Sequence, residues 1–175
     1  VAGWLKPVTG STTGGGGTLI TFEDDYYCFV HLGSNRGVRV YFAKNGLVHG
    51  TGIGSQIEGV SMRVDLGDGS ATTTYSLTGS AVPIALTNPH PDADGFTMWA
   101  VTYEADVNEA GSGRLRMYLN DQLKFTQLIP AGDAAIHAVT QAVILGASST
   151  AGADSCLGGL DEVAYYSRAL GTVEV

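Results

Sequence analysis

The chain has little cysteine, little charge and no helical periodicity. Its two cysteines, Cys28 and Cys156, form no CxxC pair. Neither thioredoxin-type exchange nor a four-cysteine zinc site is therefore available. One long-range disulfide, Cys28–Cys156, is allowed in an oxidising compartment; the alternative is two thiols, with Cys28 packed in a core. Charged residues make up only 15% of the chain, and 17 acids against 9 bases leave a net charge of −8. Such a surface repels phosphate backbones, so nucleic acid is not an expected partner. Pro7 to Phe22, Gly69 to Pro91 and Ala134 to Ala153 carry no Asp, Glu, Lys or Arg. None of them is the apolar run of ~20 residues that a membrane helix needs, so no membrane insertion is expected. Val1 is followed almost at once by Trp4 and Lys6, unlike a secretory leader. With no initiating Met, the chain is expected to be a mature form or a piece of something longer. The four histidines, His31, His49, His90 and His137, show no metal-ligand spacing.

What the chain has is glycine and alternation. Glycine is 25 of 175 residues, about twice the usual ~7%. A hydrophobic content of 44% argues against disorder. The dominant period is two. Tyr26, Cys28, Val30 and Leu32 fall on one face of a run; Val38, Val40 and Phe42 oppose Arg39 and Tyr41; Met62, Val64 and Leu66 oppose Ser61, Arg63 and Asp65; Leu115, Met117 and Leu119 oppose Arg114, Arg116 and Tyr118. Phe96 to Tyr103 reads as a strand buried on both faces or nearly so. On this reading Trp4 and Trp99 pack in a core. Turn signals separate these runs, at Gly33-Ser34-Asn35, Lys44-Asn45-Gly46, Gly67-Asp68-Gly69, Gly111-Ser112-Gly113 and Asn120-Asp121. Only Asp133 to Leu145, which is Ala-rich, tempts a helix, and its end at 142–146 reads equally well as a strand. Strands of this spacing predict a single all-β domain over residues 1–175, an antiparallel two-sheet β-sandwich.

Two segments resemble a known family. Leu157 to Leu170, with Gly158-Gly159-Leu160-Asp161-Glu162-Val163, Arg168-Ala169-Leu170 and a later Glu174, is similar to the closing motif of laminin-G-like, concanavalin A-like jelly-roll domains. Ala100-Val101-Thr102-Tyr103, followed by Leu115-Arg116-Met117-Tyr118-Leu119-Asn120, resembles the family's central hairpin, with Phe96 where Trp is usual and Asp121 where Gly is usual. Trp4-Leu5-Lys6-Pro7 is similar to an early family strand. The family has one further strand before it, so the resemblance implies an edge that is absent here or supplied by a neighbouring chain or domain.

The resemblance also implies sites. Family members often hold structural Ca²⁺ through the Asp of the Asp-Glu-Val motif, which is Asp161 here. Glu23 and Asp24, with Asp25, form an acidic cluster that a hard cation would relieve. The plain alternative is a solvated loop and a turn hydrogen bond. Asp92-Ala93-Asp94-Gly95 looks like the start of a calcium loop but lacks the later ligands, and Asx turns account for it better. Glu104-Ala105-Asp106-Val107-Asn108-Glu109 has the carboxylate spacing of related glucanases, which pair two carboxylates across a cleft. Here the segment runs into Ala110-Gly111-Ser112-Gly113, a hairpin tip open to water, so catalysis is not expected. Read from the residues alone, Arg39, Tyr41, Arg63, Arg116 and Tyr118 would form a polar platform for an anionic glycan if their strands share a sheet. The alternative is an ordinary solvated face with an Arg63–Asp65 pair. The expected function is non-catalytic recognition of a glycan or protein, extracellular or on a cell or virion surface. The alternatives are an assembly domain decorating a virion, filament or surface layer, and a glucanase-like hydrolase using Glu104 and Glu109.

Overall fold

A computed structural model describes residues 1–7, 9–14, 17–22, 26–44, 60–77, 96–105, 107–108, 111–130, 139–150, 158–171 and 174–175. Eleven strands are described and no helix among them: β1 (Ala2–Pro7), β2 (Thr9–Gly14), β3 (Gly17–Phe22), β4 (Tyr26–Gly33), β5 (Arg36–Lys44), β6 (Val60–Asp68), β7 (Thr72–Leu77), β8 (Thr97–Glu104), β9 (Gly113–Leu119), β10 (Gln122–Ile129) and β11 (Gly158–Ala164). They form a five-stranded sheet ordered β10-β9-β8-β1-β11, a four-stranded sheet ordered β4-β5-β6-β7, and a separate β2-β3 ribbon. Every pairing is antiparallel.

The period-two runs become the two inner faces. Val40 and Phe42 on β5, Met62, Val64 and Leu66 on β6, and Leu77 on β7 meet Leu5, Trp99, Val101, Leu115, Met117, Leu119 and Ile129 in one buried cluster. A side chain of this size buried here contributes about 1.5–3 kcal/mol each against leaving it in water. Two glycines make the packing possible. A Cβ on Gly3 would lie 3.0 Å from the Trp99 ring and 3.1 Å from Val163 Cγ2. One on Gly113 would lie 2.5 Å from the Tyr103 hydroxyl oxygen, so the Tyr103 ring lies across bare backbone.

Turn chemistry fixes register. Ser34 and Asn35 have φ of 51° and 60°, and Asn120 and Asp121 have 48° and 61°. Each pair closes a two-residue hairpin whose left-handed residues match the strand twist. The β6–β7 turn is held by Asp68, whose Oδ1 accepts the N–H of Ser70 (2.7 Å) and of Ala71 (2.7 Å) and the Ser70 hydroxyl (2.8 Å). Those backbone donors, Ala71 first, pull its carboxyl down to about 2 from an ordinary 3.8. Asn35 ties the two turns together, its Nδ2 donating to the Ser70 carbonyl (3.0 Å).

In β4 the expected alternation breaks. The register shifts between Tyr27 and Phe29, a bulge with Cys28 at its centre. Cys28 and Phe29 therefore both enter the main core, while Tyr27, Val30 and Leu32 turn to the outer face. The expected grouping of Cys28 with Val30 and Leu32 is thus corrected: one inserted residue reverses every later side chain. The segment expected to be helix or strand lies partly outside the described residues, at 133–138; its later part makes a single bridge, in which the N–H of Ile144 donates to the Val30 carbonyl and the N–H of Val30 to the Ile144 carbonyl, both 2.9 Å. That bridge covers part of the outer edge of β4. β1 is hydrogen-bonded to β8 on one side and to β11 on the other.

Candidate functional site

The five platform residues do not come together. Arg39 and Tyr41 (β5) and Arg63 (β6) lie on the four-stranded sheet, whereas Arg116 and Tyr118 (β9) lie on the five-stranded sheet. Alternation correctly placed each side chain opposite the apolar face of its strand, but it carries no information on which strands are neighbours. Tyr118 is fully buried and Tyr41 is buried too, so neither offers a ring face to a ligand.

On the four-stranded sheet the register sets Arg39 opposite Asp65 and Tyr41 opposite Arg63. The expected Arg63–Asp65 partnership is replaced by Arg39–Asp65, because residues two apart on one strand are farther apart than a direct cross-strand pair. Asp65 is completely buried on this outer face. Its Oδ2 accepts Nε (2.7 Å) and Nη2 of Arg39, and its Oδ1 accepts the Thr74 hydroxyl (2.7 Å). The Arg39 guanidinium also lies 5.2 Å from the Tyr41 ring and 5.6 Å from the Tyr27 ring, while those two rings stack at 5.2 Å. Partial burial opposes the Arg39 charge, but the hydrogen bond and the charge of Asp65 outweigh it and hold its pKa above the ordinary arginine value. This is a closed network in which the cation already has its anion. Tyr27 and Thr74 belong to it and were missed in the sequence; Thr74 sits in a Thr-rich run with nothing to single it out.

The outer face of the five-stranded sheet is different. Glu104 opposes Arg114 in register, and Thr102 opposes Arg116. The Glu104 Oε2 lies 3.7 Å from Arg114 Nη1 and 3.5 Å from Arg116 Nη1, too far for hydrogen bonds. Two cations thus share one carboxylate through loose contacts. Arg114 was legible as a partner: two residues before Arg116, it falls on the same face of the strand. Glu104, the first carboxylate of the glucanase-like spacing, faces these guanidiniums; Asp106 and Glu109 lie outside the described residues.

The closing motif has a structural reading. Asp161 and Trp4 are paired in register, and the shift between Trp4 and Ala2 marks a bulge in β11. Glu162 takes φ of 47° there, with the Asp161 Oδ1 accepting the Glu162 N–H (2.8 Å). The bulge delivers Val163 to Gly3 and the Trp99 ring. The Asp161 carboxylate is thus partly engaged by its own backbone. Among the described residues no three His, Cys, Asp or Glu side chains stand together as a metal group. Glu23 and Asp24, and Asp92 to Gly95, lie outside the described residues, as does Cys156, the expected partner of Cys28. Arg168 makes a two-pronged pair with Glu174 (2.8 and 2.6 Å), and Glu174 also accepts the Gly171 N–H (2.8 Å). Arg168 and that N–H pull the Glu174 carboxyl down to about 2. Tyr165 stacks on Phe29 at 5.7 Å. Beneath this segment lies a cavity of about 250 Å³, lined in part by Val38, Leu66, Val101, Tyr103 and Leu170. Arg168, the cation at its wall, is already committed to Glu174.

A two-sheet antiparallel sandwich with a bulged closing strand defines a jelly-roll domain of the lectin type. The chain belongs to the laminin-G-like family described as the concanavalin A-like lectin/glucanases superfamily, which matches residues 4–175. Among curated proteins and among solved structures, none matches the chain. Membership supports a carbohydrate- or protein-binding module. Laminin-G-like domains are generally non-catalytic, although the superfamily also holds glycoside hydrolases. Among the described residues no helix is long and apolar enough to cross a membrane.

Proposed function

We propose that this chain is a non-catalytic recognition module that binds a glycan or protein outside the cell or on a particle surface. The observation that carries this reading is the position of Glu104. Glycoside hydrolysis needs two carboxylates set roughly 5–9.5 Å apart across the scissile bond. The Glu104 carboxylate instead lies on an open sheet face against Arg114 and Arg116. A carboxylate so placed is suited to orienting the two arginines beside it.

A glycan array combined with a reducing-sugar assay tests this. The expected result is retention on at least one glycan class with no sugar released. Hydrolysis by the unaltered chain that disappears in Glu104→Gln would overturn it. A second reading, an assembly domain, is favoured by the described edges: β10 is an edge strand carrying exposed Leu123 and Leu128. Concentration-dependent self-association, with no glycan retained, would support that reading instead.

A further inference from the structure

The β6–β7 turn is built on a chemically labile pair, Asp68 followed by Gly69. In such a step the glycine nitrogen can attack the aspartate side-chain carbon Cγ, because glycine has no Cβ to hinder the approach. The new C–N bond closes a five-membered succinimide ring. The carboxyl oxygen leaves as water, taking the proton of the Gly69 N–H with it. A second water then reopens the ring at either carbonyl. Opening at the main-chain carbonyl leaves isoaspartate, in which the chain runs through Cβ and Cγ and is one atom longer. Water is the sole co-reactant, and nothing is oxidised or reduced.

The turn requires both residues. Gly69 has φ of 93°, a conformation that strains any other residue. Asp68 supplies the Oδ1 that gathers the N–H of Ser70, the N–H of Ala71 and the Ser70 hydroxyl. The same contacts keep the two reacting groups with different partners. The carboxylate is held by residues beyond the glycine. The Gly69 N–H is directed elsewhere, donating to the Asn35 carbonyl on the β4–β5 turn at 2.7 Å. Asn35 is itself pinned, its Nδ2 donating to the Ser70 carbonyl and its Oδ1 accepting the Thr72 hydroxyl (3.1 Å). The Asp68 N–H donates to the Ala71 carbonyl (3.1 Å) and closes the hairpin. Ring closure also proceeds from the protonated carboxyl, whose hydroxyl can leave. A carboxyl held at about 2 instead of 3.8 carries its proton about sixtyfold less often at neutral pH.

We infer that Asp68-Gly69 is a modification site gated by the fold: it is shut while the β4–β5 and β6–β7 turns are tied together, and it forms isoaspartate once they part. The step is one-way for the domain. A chain one atom longer no longer fits a two-residue hairpin, and the N–H groups of Ser70 and Ala71 lose their acceptor. A copy that stays open long enough to convert is thereby marked and cannot close this turn again. The inference is independent of what the domain binds.

The test is incubation of the full chain for several weeks at physiological temperature and neutral pH, in native buffer and in concentrated urea. Peptide mapping by mass spectrometry then separates aspartyl from isoaspartyl peptides. In urea Asp68-Gly69 is expected to convert at a rate similar to that of Asp94-Gly95, the chain's other Asp–Gly pair. In native buffer Asp68 should convert at least about tenfold more slowly than in urea, since reaction then waits on local opening. Asn35→Gly accepts the positive φ and removes the side-chain tie between the turns. It should raise the native rate severalfold while melting curves show that it remains folded. After urea is removed, chains converted at Asp68 should be depleted among those that survive a brief pulse of protease. Conversion in native buffer as fast as in urea, or a folded Asn35→Gly that converts no faster than the unaltered chain, would overturn the gate. An undiminished share of converted Asp68 among the surviving chains would overturn its one-way character.

Discussion

The two sheets each carry arginines on their outer faces, and they use them in opposite ways. On the four-stranded sheet Arg39 is drawn down onto a completely buried Asp65 and flanked by two stacked tyrosines. On the five-stranded sheet Arg114 and Arg116 stand over Glu104 without a hydrogen bond between them and it. The same residue type on the same kind of strand position is hydrogen-bonded to a buried acid in one sheet and loosely paired with a half-exposed acid in the other. The difference lies in the neighbour across the strand. A buried carboxylate must be paired and takes all the donors it can reach, whereas a half-exposed one is hydrated and holds its arginines only loosely.

The sharpest way to break this comparison is to remove one arginine from each face. Arg39→Ala leaves Asp65 buried without its counter-charge and is expected to cost about 3–5 kcal/mol of folding stability, read by denaturant unfolding. Arg114→Ala, which breaks only a loose contact to half-exposed Glu104, should cost no more than about 1 kcal/mol in the same experiment. Equal losses would show that both faces are structural. Replacing Arg39 together with Asp65, as Arg39→Met/Asp65→Leu, should recover most of the loss, because no buried charge is then left unpaired.

A smaller effect separates strand from turn. Asp121 sits at φ of 61°, a left-handed position that a side chain resists. Asp121→Gly should raise stability by roughly 0.5–1 kcal/mol, measured as a shift of the unfolding midpoint. No gain would mean that the Asp121 side chain repays its backbone strain through the turn.

The smallest expected effect concerns acid. Asp68 and Glu174 are both held at about 2 in the folded chain, below ordinary values of 3.8 and 4.5. Their folded pKa is depressed, so their contribution is complete above the unfolded values and is lost as pH falls through about 2. Both are exposed, so the change in melting temperature between pH 5 and pH 2 should be modest. Asp68→Asn together with Glu174→Gln should flatten that part of the pH profile. An unchanged slope would place the acid sensitivity elsewhere in the chain.

Much of the fold was legible because alternation reports burial directly. Val38 to Phe42, Met62 to Leu66 and Leu115 to Leu119 each send their apolar positions into the core as the period predicts. The turn at Asn35 was equally plain, since few residues accept positive φ. The Cys28 bulge was not legible, because inserting one residue in a strand changes no local propensity. The scattering of Arg39, Tyr41, Arg63, Arg116 and Tyr118 over two sheets was hidden for a related reason: alternation says which face a residue occupies, not which strand stands beside it. Asp161-Glu162-Val163 was recognisable as a motif, yet its work in the described structure, a bulge that seats Val163 over Gly3, follows from packing that the motif does not spell out.

The order of residues alone determined that this chain is built of strands, which side chains are apolar inward, and where the hairpins turn, because those properties depend on a residue and its immediate neighbours. Only the tertiary structure decided which arginine meets a buried acid and which share a half-exposed one. That outcome depends on cross-strand register between Arg39 and Asp65, and between Arg114 and Glu104, residues joined by pairing across the sheet and not by their place in the chain.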